Sequence, residues 1–299
     1  MQGERIEVGF DGDEFFDYRP NATVRPYVDG LYTVDGVRIT RDIAVAPEGS
    51  DDHPHHKGVW WGHRDLAGAD VWTEFAGHGS IRAAAPPRLV EGGGRFEIIH
   101  ETRWLDAAGR PLLDDTRILT AAAAAVDGSQ ALDVETVMRA SSGSVVLADT
   151  KEAGLVALRV APALEERRGG RIELSTGAVG EAFAWGKRAD WCDYSGSVGA
   201  DRVGVAIFDH PENPLPARWH VRDYGLLAVN PFGLSDFTGD RSQDGSITLE
   251  PGHELRFRYR ILVHRGSAAK ADIAGHYARY LADREVAGSD LAAEPDGRE

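Results

Sequence analysis

Period-two alternation of apolar and polar residues is the recurring pattern of this chain. It predicts strands over Arg5–Phe10, Glu14–Tyr18 and Pro26–Val34. Between Arg95 and Leu105 one face carries Phe96, Ile98, His100, Thr102 and Trp104 and the other is mostly charged, so the even face is expected to pack. A turn at Ala107–Pro111 returns the chain through Leu112–Thr120, and Leu132, Val134, Thr136 and Met138 form another alternating set. Two antiparallel hairpins in series are the simplest reading. The clearest strand comes last, where Leu255, Phe257, Tyr259, Ile261 and Val263 alternate with Arg256, Arg258 and Arg260. One of its faces is buried, and the arginine face is either wet or turned to a ligand. Ser267 is placed to cap a helix whose Ile273, Tyr277, Tyr280 and Leu281 fall at helical spacing. With no internal repeat and no linker, the pattern predicts an all-β fold. We expect a large antiparallel β-sandwich with one C-terminal helix, a single domain over 1–284 and a tail over 285–299 that has little to bury.

The 299 residues are 42% hydrophobic and 27% charged, enough apolar matter for a sizeable core. Acidic residues outnumber basic ones 48 to 33, and a net charge of −15 repels phosphate backbones and anionic lipid surfaces, so neither nucleic acid nor membrane is an expected partner. The longest apolar run, Leu119–Val126, is mostly alanine and far short of the roughly 20 residues that cross a bilayer. The N-terminus lacks the basic-then-apolar pattern of a secretory signal, and the single Cys192 removes an intramolecular disulfide from consideration. A soluble cytoplasmic protein is the expectation.

The segment from Asp51 to His63, DDHPHHKGVWWGH, gathers four histidines, a lysine, two acids and two tryptophans. Imidazole exchanges protons near neutral pH and also ligates metals, and either use explains the enrichment. Pro54 keeps His53, His55 and His56 on a loop, while Val59–His63 enters a strand on which Trp61 and His63 share a face. A solvated loop, or buried imidazoles satisfied by backbone carbonyls, is the alternative. Phe208–His220 repeats the Asp-His-Pro motif around His210 and ends on Trp219 and His220, with Arg222, Tyr224 and Asn230 close behind. Its three prolines stiffen a loop that suits a binding platform and equally suits a plain surface. Between these clusters, Glu152 could divide acid and base roles with a histidine, or pair with Lys151 or Arg159 at the surface. Trp185, Lys187 and Trp191 set charge beside aromatic rings, as sugar recognition requires, although no apolar pocket marks Lys187 as a Schiff-base amine.

Five motifs in order, His55-His-Lys-Gly-Val-Trp-Trp-Gly-His63 with its preceding His-Pro, Asp149-Thr-Lys-Glu152, Trp185-Gly-Lys-Arg188, Phe208-Asp-His-Pro211, and Trp219-His-Val-Arg-Asp-Tyr-Gly-Leu226 with Asn230-Pro-Phe-Gly, carry a resemblance. Over roughly Arg25–Arg265 the chain resembles the bacterial "PmoA family", whose label refers to a methane oxygenase. A chain with no apolar span is not expected to oxidise methane in a membrane. The resemblance implies carbohydrate catabolism by gene association. The chain departs from similar sequences at Lys151-Glu-Ala-Gly-Leu155, where they lack the alanine, which bears on the placement of Arg159. The ending Leu249-Glu-Pro-Gly-His-Glu-Leu255 and its alternating strand are similar to the last strand of galactose-mutarotase-like supersandwiches, which implies a polar ligand on a concave sheet face.

The leading expectation is a sugar-modifying enzyme, lyase, hydrolase or epimerase, acting on a small sugar or glycoside. In it the histidines of both Asp-His-Pro segments converge. His53, His55, His56, His63, Glu152, His210 and His220 are the catalytic candidates, and Trp61, Arg159, Trp185, Lys187, Trp191, Arg222, Tyr224 and Asn230 are the substrate-binding ones. No nucleotide-cofactor motif is present. A divalent metal held by His53, His55, His56, His63 or His210, serving hydrolysis or oxidation, is the second reading. A non-catalytic carbohydrate-binding module is the third. Metal ligation and oligomeric state stay open at this point.

Overall fold

The computed structural model describes residues 5–44 and 53–291. Asp51 and Asp52 of the histidine-rich motif, and 292–299 of the expected tail, lie outside the described residues. The chain folds into two facing antiparallel sheets. The front sheet has seven strands in the order Ile6–Phe10, Asp13–Arg19, Tyr27–Leu31, Val59–His63, Ala153–Arg159, Leu226–Asn230 and Arg218–Val221. The back sheet runs Arg171–Leu174, Trp191–Val198, Asp201–Asp209, Glu254–Arg265, Gln130–Arg139, Pro111–Ala122, Arg95–Leu105 and Ser80–Ala83, and Arg88–Gly92 also pairs with Arg95–Leu105. A short ladder joins Val145–Leu147 to Ile247–Leu249. This is the antiparallel β-sandwich that the alternation predicts.

The core lies between the sheets and draws on both, with Phe16, Val59, Trp61, Leu155 and Val229 from the front and Ile98, Trp104, Leu119, Val205 and Ile261 from the back. Parity explains which residues enter it. On Arg95–Leu105 the even positions from Ile98 to Trp104 are buried, as the alternation requires. On Glu254–Arg265 the arginines take the outside of the back sheet and pair across the ladder with acids. Arg256 and Arg258 both reach Glu135, and Arg260 Nε donates to Asp133 at 2.6 Å. Charge pairing therefore accounts for the arginines on that face.

The C-terminal helix spans Ile273–Leu291 and covers part of the outer back sheet through Ile273 and Tyr280, which pack with Trp191, Phe208 and Leu262. Ser267 begins the preceding turn and does not cap the helix. Asp272 takes that role, accepting the Gly275 N–H at 3.2 Å. The helix continues past Glu285, into the stretch that the sequence marks as a tail. Two short helices, Glu181–Ala184 and Leu234–Thr238, flank the far edge of the front sheet.

A polar network crosses the buried interface. Asp115 accepts from Thr102 Oγ1 at 2.8 Å, from the Trp104 indole and from Arg117 Nη2 at 2.8 Å, and all four side chains are buried. Arg117 lies over the Trp61 ring at 4.4 Å, joining the middle of the back sheet to Val59–His63 of the front sheet. Tyr18 and His100 make a second cross-sheet bond at 2.7 Å. Asp115→Ala leaves the guanidinium buried without its carboxylate and is expected to cost about 3–5 kcal/mol. Urea unfolding reads this as a lowered midpoint, and a loss below about 1 kcal/mol would show that the pair does not hold the sheets together.

Candidate functional site

The site is built on the outer face of the front sheet. Within Val59–His63, Val59 and Trp61 point to the core, so Trp60 and Gly62 point outward. Outward positions on neighbouring strands are small: Gly154, Ala157 and Ala228. Their size lets Trp60 and Trp72 lie close against the sheet, and a Cβ at Gly154 would stand 3.2 Å from the Trp72 ring. Buried Arg25 donates to the Trp72 and Thr73 carbonyls at 2.7 and 3.0 Å and fixes that loop. A sheet face that would otherwise be wet is thus roofed with indole.

The histidine loop continues this roof. His53–His56 is a tight turn closed by His56 N–H donating to the His53 carbonyl at 2.9 Å, with Pro54 at the second position, where its fixed φ belongs. His53 has φ 49°, in the left-handed region. At Gly58, φ 51°, any Cβ would collide with the Val28 carbonyl oxygen, so this position must be glycine for the chain to enter its strand. Tyr224, His53, His56 and Trp60 then form a column of near-parallel rings, with centroids 4.9, 4.6 and 4.8 Å apart and interplanar angles of 11–20°. His55 meets His56 edge-on at 4.5 Å. Arg159 covers Tyr224 at 4.7 Å, and its Nη1 lies 3.5 Å from His56 Nδ1. Because a guanidinium only donates, His56 Nδ1 accepts and its ring proton sits on Nε2.

Beside this column opens a cavity of about 360 Å³ lined by His53, Lys151, Glu152, Glu181, His220, Arg222, Asp223 and Tyr224. Each wall is anchored by backbone bonding. Asn230 clamps two loops together: its Nδ2 donates to the Thr150 and Lys151 carbonyls, both at 2.9 Å, and its Oδ1 accepts from Phe232 and Gly233 N–H. The Arg64 N–H donates to the Glu152 carbonyl at 2.9 Å, which holds the backbone under the Glu152 carboxylate. Arg222, Asp223 and Tyr224 form the hairpin between Arg218–Val221 and Leu226–Asn230. Glu181 steadies that hairpin by accepting from Arg222 Nη1 at 2.8 Å and from Asp223 N–H at 2.6 Å. Trp185 meets His220 edge-on at 6.4 Å and carries Arg222 over its ring at 5.4 Å.

Burial sets the protonation of this site. Desolvation, followed by the nearby Arg222 and Lys151 charges, pushes His220 down to about 3, although the Lys151 backbone acts the other way. Desolvation, then Arg25, brings His55 to about 3, and desolvation with the neighbouring imidazoles drives His56 well below its ordinary value. These rings are neutral at pH 7. His220 Nδ1 is buried without a hydrogen-bond partner among the described residues. No three histidine, cysteine or carboxylate side chains among the described residues are arranged to hold a metal ion. The imidazoles turn faces and edges to one another and do not converge their nitrogens on one point.

Of the sequence candidates, His53, Glu152, His220, Arg222 and Tyr224 line the cavity; His55, His56, Arg159, Trp185 and Asn230 support it from behind or beside. Trp61 does not stack on a ligand. It is fully buried under Arg117, because strand parity sends it inward and turns Trp60 outward. His63 follows the same parity into the interior, where its Nδ1 accepts the Asp65 N–H and its ring meets Phe232 at 5.1 Å. The two Asp-His-Pro segments do not converge. His210 leaves the end of Asp201–Asp209, a back-sheet strand, and packs on Tyr280 of the C-terminal helix at 5.4 Å. Its proline-rich loop then carries the chain over to the front sheet, and the histidine that reaches the cavity is His220. Lys187 is exposed outside the cavity, and Trp191 packs beneath the helix. Sequence reasoning missed Lys151, Glu181, Asp223 and Trp60 as site residues. Only Trp60 had a readable signal, its opposite parity to Trp61.

The chain belongs to the family of unknown function DUF6807, whose model matches residues 5–278. That match does not carry the methane-oxygenase name suggested by the motifs. No curated protein matches the sequence. Among solved structures the chain is similar to a GH36 α-galactosidase of Geobacillus stearothermophilus in complex with raffinose, at 13% identity and a TM-score of 0.45, over 88% of this chain and 41% of that one. The chain therefore spans about two fifths of that enzyme. It is also similar to a galactose 1-epimerase of Lactobacillus acidophilus, at 10% identity and a TM-score of 0.38, over 88% and 99% of the two chains. A galactose mutarotase related enzyme of the same species matches at 9% identity and a TM-score of 0.41, over 87% and 97%. At TM-scores below 0.5 these likenesses fix neither substrate nor reaction.

The depressed histidines make stability depend on pH. Below about 6.5 the unfolded chain protonates His63 and His220, while the folded chain keeps both neutral down to about 3. The unfolded state then binds more protons, so stability falls as pH drops through that window, by about 1.4 kcal/mol per pH unit for each such ring. His220→Gln is expected to reduce the slope between pH 6 and 4 by about that amount, measured by urea unfolding at a series of pH values. An unchanged slope contradicts a neutral buried His220.

Proposed function

We propose that the chain is a sugar-modifying enzyme of carbohydrate catabolism, which performs acid–base chemistry on an uncharged sugar or glycoside in this cavity. One observation carries the reading: His53, Glu152 and His220, from three distant segments, line a single space within the size range of small-molecule sites. The charge of the lining selects the ligand. Two cations, Lys151 and Arg222, face three carboxylates, Glu152, Glu181 and Asp223, so these five side chains sum to a formal −1. A phosphorylated or acidic sugar gains nothing there, whereas hydroxyl groups find donors and acceptors on every wall.

Roles follow from surroundings. Glu181 is engaged with Arg222 and the Asp223 backbone, and the Asp223 side chain is exposed, so of the three carboxylates the half-buried Glu152, 3.4 Å from Lys151 Nζ, is assigned proton abstraction. His220, held neutral and bonded to the Lys151 backbone, offers Nδ1 as an acceptor to a substrate hydroxyl without bringing a charge. Arg222 and Tyr224 position the sugar, and the half-buried Trp185 closes the side next to His220.

The test is incubation with a panel of neutral aldoses, ketoses and glycosides in D₂O, followed by NMR for epimerisation, elimination or cleavage. Glu152→Gln is expected to lower the rate by about 10²–10⁴ with the melting temperature unchanged. Full activity in that variant removes Glu152 from the mechanism, and a wild-type protein that binds sugars without ever converting them makes the cavity a carbohydrate-binding module.

A further inference from the structure

Of the two exposed phenylalanines near the site, Phe75 and Phe183, Phe75 makes ring contact with the histidine loop and has no part in the chemistry above. Phe75 is 59% exposed, yet the segment that presents it is tied down at every step. Asp70 accepts the Trp72 and Thr73 N–H groups, both at 2.9 Å, and the Thr73 hydroxyl at 2.6 Å. Arg25 holds the Trp72 and Thr73 carbonyls. Lys57 pairs with Glu74 at 2.8 Å, and the Phe75 carbonyl accepts the His78 N–H at 3.0 Å. The ring meets His55 edge-on at 5.8 Å, and His55 meets His53, a cavity wall, at 5.7 Å. A chain of two ring contacts therefore runs from His53 on the cavity wall, through His55, to a rigidly held, exposed apolar surface.

Resting on the sugar reading of the cavity, we propose that Phe75 is the platform of a second subsite, and that the substrate is a glycoside of at least two units, one in the cavity and the next stacked on this ring. A pyranose has an apolar C–H face that packs on an aromatic ring, while its hydroxyl edge stays in water. Such a surface recognises sugar without charge, in keeping with the lining of the cavity. A platform fixed before binding costs little ordering when the second unit lands.

The experiment is calorimetric titration of glucose, galactose and xylose, and of their α- and β-linked disaccharides, into the wild type, Phe75→Ala, Phe75→Trp and the control Leu89→Ala, a change at an exposed residue on the back sheet. At least one disaccharide is expected to bind the wild type about tenfold more tightly than its monosaccharide. Phe75→Ala should erase that advantage, Phe75→Trp should restore it, and Leu89→Ala should keep it. Monosaccharide binding with no Phe75-dependent gain for any disaccharide overturns the second subsite and leaves the cavity reading standing. Failure of every sugar to bind the wild type overturns both.

Discussion

Burial of aromatic rings on the outer face of the front sheet is the constraint from which the site follows. A half-exposed sheet normally turns polar residues to water, but here Gly154, Ala157 and Ala228 leave a flat, featureless strip that only large rings can cover. Trp60 and Trp72 cover it, His56 lies on Trp60, and His53 and Tyr224 complete the column. Rings in this position lose water. The low proton affinity of His55, His56 and His220 comes first from this desolvation and only second from neighbouring charge. Packing and chemistry therefore share one cause, since the contacts that hold the loop also keep His55 and His56 neutral.

The site is held from below by the contact between the sheets. Trp61 and Trp60 are adjacent in sequence and face opposite ways, one gripped by Arg117 in the core and the other paving the roof. A slip of one residue in Val59–His63 would exchange them and bury the wrong surface on each side. The Asp115–Arg117 pair and the collision that excludes any side chain at Gly58 both oppose such a slip. Rigidity at the cavity is thus inherited from interactions that never touch a ligand.

Much of the fold was legible because two-residue periodicity is a local property. The alternation of Arg95–Leu105 and of Glu254–Arg265, and the strand at Val59–His63 following a proline-broken loop, all appear in the structure as read. The candidate site was legible only in part, for physical reasons. Trp60 and Trp61 flank opposite faces of a strand buried on both, so composition does not reveal which face looks inward. The repeated Asp-His-Pro tripeptide is a turn-forming unit, and nothing in it records which sheet the preceding strand joins; His210 was therefore grouped with His53 although it belongs to the back sheet. Glu181 enters the site from a four-residue helix, through contacts 41 and 42 residues away in sequence, and no periodicity marks such a residue.

The proposed sugar site is a single cavity walled by Glu152, His220, Arg222 and the stacked Tyr224 and His53 rings. A crystal structure determined after soaking with neutral mono- and disaccharides addresses it most directly. Electron density for a sugar ring is expected within hydrogen-bond distance of Glu152 and His220. Density found instead in the separate cavity of about 340 Å³ beside Asp209 and Tyr277, with the first cavity empty of sugar, would contradict it.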